Sequence, residues 1–107
     1  MTDEYPSESD LQKIGQLACD YKRTDELLDF LKSIWWQPEW GFKLYFGRDF
    51  VHKKKCRKLE LHTGGWSGNE EIINVLEGSM FWIFYWEKSI RGGHYWFEIK
   101  PIIGFSK

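Results

Sequence analysis

The fold of this chain is decided by residues 59–73, whose sequence is Leu59-Glu60-Leu61-His62-Thr63-Gly64-Gly65-Trp66-Ser67-Gly68-Asn69-Glu70-Glu71-Ile72-Ile73. Alternating apolar and polar residues at its start predict a β-strand, and the glycines that follow predict a turn. Ser67 and Glu70 have the spacing of a capping box, which predicts that a helix begins there. The stretch therefore predicts a glycine-rich strand-to-helix corner, with backbone N–H groups, hydroxyls and a tryptophan close together.

The segments on either side of this corner predict the rest of the order. Helical spacing of apolar residues is seen over about 10–21 and again from Thr24 to the residues before Pro38. Strands are predicted over 42–46, 56–63, 80–86 and 94–99, with a helix from 67 to Gly78. The order is helix, helix, strand, strand, helix, strand, strand. It predicts the α+β class, with N-terminal helices packed on a four-stranded mixed sheet and one crossover helix between parallel strands.

Length and composition set limits on what this molecule is. A chain of 107 residues predicts one domain, here a flexible N-terminus over 1–9 and a single α+β domain over 10–107. Cys19 and Cys56 lack the C-x-x-C spacing of a zinc or redox site, and no apolar run reaches transmembrane length, so we expect a reduced, intracellular protein without a membrane partner.

Charge and aromatic content indicate the kind of partner. Residues 1–29 carry eight acidic and three basic residues, whereas the remainder carries twelve basic and eight acidic residues. This mildly basic body suits an anionic small ligand better than long duplex nucleic acid. With Trp 7, Tyr 5 and Phe 8 in the chain, more rings are present than a small core needs, and exposed rings are typical of ligand or partner sites.

Three motifs together resemble small uncharacterised proteins of tailed bacteriophages. They are Trp35-Trp36-x-Pro38-x-Trp40-Gly41, then Leu61-x-Thr63-Gly64-Gly65-Trp66-Ser67-Gly68-Asn69-Glu70, and then Phe81-Trp82-x-x-Tyr85-Trp86-x-x-Ser89-x-Arg91-Gly92-Gly93-His94-x-x-Phe97. The Thr-Gly-Gly-Trp-Ser-Gly-Asn run is the distinctive part. This resemblance implies a viral accessory protein that acts inside a bacterial cell. It assigns no catalytic residue.

Two glycine corners are the candidate binding elements. At the first, a helix N-terminus offers N–H groups to a phosphate and Trp66 offers a stacking surface; the alternative is a plain turn whose donors are used by Ser67 and Glu70. At the second, Arg91 and His94 flank two glycines and could clamp an anion; the alternative is a hairpin turn with solvated charges. Both corners are expected at one end of the sheet. The expected ligand-binding residues are Thr63, Gly64, Gly65, Trp66, Ser67, Asn69, Arg91, Gly92, Gly93 and His94.

Two further constellations carry weaker predictions. The basic stretch from Arg48 to Lys58 could contact nucleic acid, or could be a solvated hairpin loop. Same-face spacing permits a metal site, whose four members would be Glu60, His62, His94 and Glu98. Nothing in the spacing favours that site over surface pairs, and no serine or cysteine has an activating partner. We therefore expect no enzyme, no metal and no cofactor.

The leading hypothesis is a phage counter-defence protein that binds and sequesters a nucleotide-type ligand without catalysis, in the cytoplasm of the infected host. The alternative is an inhibitor that blocks a host defence protein through an exposed aromatic patch. A homo-oligomer is expected in the first case, because small binders often place their sites between subunits. A nucleic-acid binder or structural phage component, and a hydrolase, are the other readings.

Overall fold

A computed structural model describes residues 5–100 of the chain. Its helices are α1 (Glu8–Ala18), α2 (Thr24–Ile34), α3 (Pro38–Gly41), α4 (Ser67–Glu77) and α5 (Met80–Tyr85), with a short 3₁₀ turn at Tyr21–Arg23. Its strands are β1 (Phe42–Arg48), β2 (Lys55–His62), β3 (Trp86–Ile90) and β4 (His94–Ile99). The predicted α+β class and the four-stranded sheet are confirmed. Helix α1 begins two residues before the expected domain boundary at residue 10, and the ends of the expected segments, 1–4 and 101–107, lie outside the described residues.

The sheet has the order β1-β2-β4-β3, and every neighbouring pair is antiparallel. The prediction of a mixed sheet was therefore wrong. Helices α4 and α5 lie between β2 and β3 in the chain. Strand β3 does not pair with β2; it pairs with β4 and forms the edge of the sheet opposite to β1. Strand β4 then lies between β2 and β3, and places the second glycine corner beside the end of β2.

The segment 80–86 is also corrected, because it is a helix over Met80–Tyr85 and not a strand. The hydroxyl of Ser79 caps this helix by accepting from the backbone N–H of Trp82. Phe81 and Tyr85, four residues apart, are both buried, as the helical period requires. An uninterrupted apolar run fits a buried strand and a buried helix equally well. Packing against β4 selects the helix here, because it places the Phe81 ring 5.2 Å from the ring of Phe97.

The predicted capping box at the start of α4 does not form. Trp66 occupies the N-cap position and makes no side-chain capping bond. The hydroxyl of Ser67 instead pairs with that of Tyr5, at 2.6 Å. The carboxylate of Glu70 accepts a hydrogen bond from Thr63. Both side chains are drawn to tertiary partners, which the local sequence does not reveal.

The core lies between the helices and one face of the sheet. It is built from buried apolar side chains of α1, α2, α4, α5, β2 and β4. They include Ile14, Leu17, Leu27, Leu31, Leu59, Leu61, Ile72, Leu76, Phe81 and Phe97. Because side chains alternate along a strand, Glu60 and His62 of β2 project to the other face, as do His94 and Trp96 of β4. Among residues 5–100, no helix combines the length and apolarity that crossing a bilayer demands.

Candidate functional site

The two glycine corners meet, as the sequence predicts. The backbone N–H of Thr63 donates to the carbonyl of Gly93 at 2.9 Å, just beyond the last paired residues of β2 and β4. Gly93 has φ +87°, and a Cβ added there would come within 2.1 Å of the Thr63 hydroxyl oxygen. Glycine is therefore required at 93 both for its conformation and for the close approach of the two corners.

The polar residues of the first corner are mostly engaged inside the protein. Thr63 is fully buried, and its carbonyl accepts from the N–H of Trp66 at 3.0 Å. Asn69 is 1% exposed; its amide oxygen accepts from the N–H of Trp36, and its amide nitrogen donates to the carbonyls of Trp36 and Thr63. These two residues hold the corner to the segment between α2 and α3. Gly64 and Gly65 are exposed, with φ of +63° and +75°.

The N-terminus of α4 is covered by the segment before α1. The ring of Trp66 packs between Tyr5 and Trp36, with centroid distances of 5.0 and 5.1 Å. Gly68 is buried, and a Cβ built on it would lie 3.1 Å from Pro6. Trp66 and Ser67 thus have protein neighbours at the place where the sequence predicts a stacking surface and an anion.

The second corner remains open. Arg91 and Gly92 are exposed, and His94 is half-buried. Within residues 5–100, the guanidinium of Arg91 makes no ion pair. A Cβ built on Gly92 would lie 3.4 Å from Nε2 of His94. Among the predicted residues with polar side chains, Ser67 and Arg91 are exposed, His94 is half-buried, and Thr63 and Asn69 are buried.

A chain of hydrogen bonds runs from β1 to the second corner across the face of the sheet away from the core. Glu60 accepts from the hydroxyl of Tyr45 through one carboxylate oxygen. Its other oxygen lies 3.0 Å from Nε2 of His62, and Nδ1 of His62 lies 2.8 Å from Nδ1 of His94. The register explains this geometry, because His62 and His94 are directly paired and Glu60 is two residues before His62 on the same face.

Glu60 carries the negative charge in this series of hydrogen bonds. Burial alone would raise the pKa of its carboxyl, but hydrogen bonds from Tyr45, His62 and Trp96 outweigh that effect and hold the pKa below its ordinary value. Burial and the bond to this carboxylate together raise the pKa of Tyr45 to about 12. Glu60 is therefore ionised and Tyr45 is protonated at neutral pH.

With both imidazoles neutral, the ionised carboxylate of Glu60 fixes the positions of their protons. His62 donates its Nε2–H to Glu60, so its Nδ1 accepts from Nδ1–H of His94. Nε2 of His94 then carries a lone pair beside Gly92. The hydrogen bonds thus leave Nε2 of His94 for a ligand, and the bond to His62 fixes the orientation of the His94 ring.

Aromatic and basic side chains flank the histidines. The rings of Trp40 and Trp96 lie 5.9 and 5.7 Å from the ring of His62. Trp40 is 47% exposed. The ammonium of Lys88, on β3, lies 4.9 Å from the Trp96 ring. We refer to His62, His94, Trp40, Trp96 and Lys88 as the histidine face.

The weaker metal prediction is not supported by this arrangement. Glu98 lies further along β4, where it pairs with Lys58 at 3.0 Å and accepts from the N–H of Phe50. Within residues 5–100, no three histidine, cysteine or acidic side chains come together in a way that could hold a metal ion. Two surface cavities, of about 380 and 440 Å³, are lined by residues other than His62 and His94.

The members of the histidine face that were not predicted as ligand-binding are Trp40, His62, Lys88 and Trp96. Strand alternation contains the signal for two of them, because it places His62 with Glu60 on one face of β2 and Trp96 with His94 on one face of β4. Lys88 and Trp40 could not be found in this way. Lys88 lies on β3, beyond the end of the strand predicted over 80–86, and Trp40 approaches His62 only through the turn of α3.

Comparisons of this chain with protein-family models, with curated proteins and with solved structures find no match. The resemblance to tailed-bacteriophage proteins therefore stays a prediction.

Proposed function

We propose that this protein binds a nucleotide-type anionic small molecule at the histidine face and sequesters it without turning it over. The observation that carries the proposal is the oriented pair of His62 and His94, flanked by two tryptophans and three residues along the chain from the exposed Arg91. Such a set combines ring surface with several N–H donors, which are the two requirements of a base joined to a phosphate.

Each part of a nucleotide has a suitable partner on this face. The exposed indole of Trp40 offers a stacking surface, and stacking of a base on an aromatic side chain contributes roughly 1–3 kcal/mol. Lys88 and Arg91 offer charge-assisted hydrogen bonds to phosphate oxygens. The absence of a Cβ at Gly92 leaves space beside Nε2 of His94.

Binding is favoured over turnover because both ring nitrogens of His62 are engaged within the protein. One nitrogen, on His94, is left for the ligand, whereas acid–base cleavage generally uses two groups on opposite sides of the bond. Among possible nucleophiles, Cys56 is buried, and its burial raises the pKa of the thiol.

The resemblance to phage proteins extends this proposal to a biological setting. A protein that withholds a nucleotide signal would act as a counter-defence factor in the cytoplasm of the infected host. A homo-oligomer, with the histidine face near a subunit boundary, would bury more of the ligand than one subunit can.

The first test is to denature the protein purified from bacteria, identify released small molecules by mass spectrometry, and measure the native mass of the intact particle. We expect a nucleotide in fixed proportion to subunits. Titration with AMP and GMP, followed by tryptophan fluorescence, then locates the site: His94→Gln and Lys88→Gln weaken binding at least fivefold, on the scale of one lost charge-assisted bond. Lys32→Gln, at an exposed site elsewhere, is the control. Unchanged affinity in His94→Gln would refute the placement.

A second candidate, inhibition of a host protein, is favoured by an apolar patch on α5 and β3. Ile83, Trp86 and Ile90 are 76%, 45% and 52% exposed. Exposed apolar clusters of this kind are typical of protein interfaces. A purified protein that carries no small molecule and retains one stoichiometric host protein, lost in Trp86→Ala, would favour this function over nucleotide binding.

A further inference from the structure

The loop between β1 and β2 combines exposed rings with exposed cations. Phe46 and Phe50 are 68% and 71% exposed. The four basic side chains around them are also exposed: Arg48, Lys53, Lys54 and Lys55. We refer to residues 46–55 as the hairpin tip. It lies at the opposite end of β2 from His62, about 23 Å away for a strand of this length.

The one acidic residue of the hairpin tip faces inward. Asp49 is 1% exposed, and its carboxylate accepts hydrogen bonds from the N–H groups of His52 and Lys54 at 3.0 and 2.6 Å. These bonds, against the opposing effect of burial, hold the pKa of Asp49 below its ordinary value. The carboxylate therefore holds the loop in one conformation, and the outer surface of the hairpin tip is left with basic side chains.

Each exposed ring is paired with a cation. The ammonium of Lys55 lies 5.0 Å from the ring of Phe46, and that of Lys53 lies 5.1 Å from the ring of Phe50. The arrangement repeats a ring and an adjacent positive charge twice on one loop. In single-stranded nucleic acid, a base and an adjacent phosphate repeat in the same way.

We propose that the hairpin tip binds single-stranded nucleic acid, with bases stacked on Phe46 and Phe50 and phosphates paired with the surrounding lysines and Arg48. A duplex fits poorly, because its bases are stacked on each other and the rings cannot reach them. This site is separate from the histidine face and does not depend on the proposed function there.

The experiment measures fluorescence anisotropy of a labelled oligothymidylate against the full chain over a range of salt concentrations. Four phosphate contacts predict a slope of log affinity against log salt of about −3, because each contact on a single strand contributes about −0.7. Replacing Lys54 and Lys55 by glutamine lowers the magnitude of that slope by about 1.4. Phe50→Ala weakens binding at least about fivefold at constant salt.

The controls separate this proposal from its competitors. Ile83→Ala removes an equally exposed apolar side chain, and Lys32→Gln removes an exposed lysine elsewhere; both leave oligothymidylate binding unchanged. His94→Gln also leaves it unchanged, so failure of the histidine face does not affect this result. Equal affinity for a duplex of the same length, binding to anionic lipid vesicles without binding to the oligonucleotide, or no binding to either, would overturn the proposal.

Discussion

Replacing Gly93 by alanine tests how the two glycine corners are held together. The added Cβ would lie 2.1 Å from the hydroxyl oxygen of Thr63 and 3.3 Å from its Cβ. Thr63 is fully buried and has no room to withdraw. The two strands must therefore separate at this end, which lengthens the 2.9 Å hydrogen bond between the Thr63 N–H and the Gly93 carbonyl.

The size of the effect follows from these contacts. A side chain at positive φ costs about 1–2 kcal/mol, and the loss of the buried hydrogen bond costs about 1–3 kcal/mol more. We expect Gly93→Ala to lower the free energy of unfolding by about 3 kcal/mol, measured by urea denaturation. A chain of this size would then lose more than about 10 °C in melting temperature.

Two other glycines are matched controls. Gly65 has φ +75° but no atom within 4 Å of its added Cβ, so Gly65→Ala carries the conformational cost alone, about 1–2 kcal/mol. Gly78 has φ −91° and open space, and Gly78→Ala is expected to change stability by less than about 0.5 kcal/mol. Adding Thr63→Ala to Gly93→Ala removes the closest atom and recovers part of the loss. Equal destabilisation by Gly93→Ala and Gly65→Ala would refute the close-approach argument.

Two further predictions concern buried polar groups. Because hydrogen bonds hold the pKa of Glu60 below its ordinary value of 4.5, its ionised form adds stability that is complete above that pH and is lost as the pH falls below it. Glu60→Gln is expected to flatten this part of the stability curve and to cost about 1–3 kcal/mol at neutral pH by urea denaturation; an unchanged pH profile would contradict this. Asn69→Ala leaves the backbone of Trp36 without its side-chain partner and is expected to cost about 2–4 kcal/mol, whereas Asn74→Ala, on the exposed side of α4, is expected to be neutral. Equal effects of these two asparagine substitutions would show that the buried bonds contribute little.

The sequence predicts most of the fold where periodicity is unambiguous. Strand β4, predicted over 94–99, begins and ends at the expected residues, and the helix after the first glycine corner begins at Ser67 as expected. The run from Met80 to Trp86 has no period, since every residue is apolar, and its conformation is set by packing against Phe97. Local sequence does not contain that information.

The location of the candidate site could be predicted from the sequence, but the side chains that form it could not. The two glycine corners were expected at one end of the sheet on the premise of parallel strands, whereas the structure brings them together by pairing β2 with β4 antiparallel. The burial of the Trp66 ring could not be predicted from local sequence, because its neighbours Tyr5 and Trp36 lie far from it in sequence. The register of β2 with β4 brings His62 and His94 together, and pairing of strands distant in sequence is not encoded locally.

The antiparallel order β1-β2-β4-β3 has a consequence for biosynthesis. The paired residues His62 and His94 are 32 residues apart. Strand β2 therefore cannot pair with β4 until α4, α5 and β3 have been synthesised. During that interval Leu59 and Leu61 lie on a two-stranded hairpin, which is marginally stable by itself. A nascent chain of this protein would therefore present an apolar strand edge to chaperones until β4 arrives and completes the sheet.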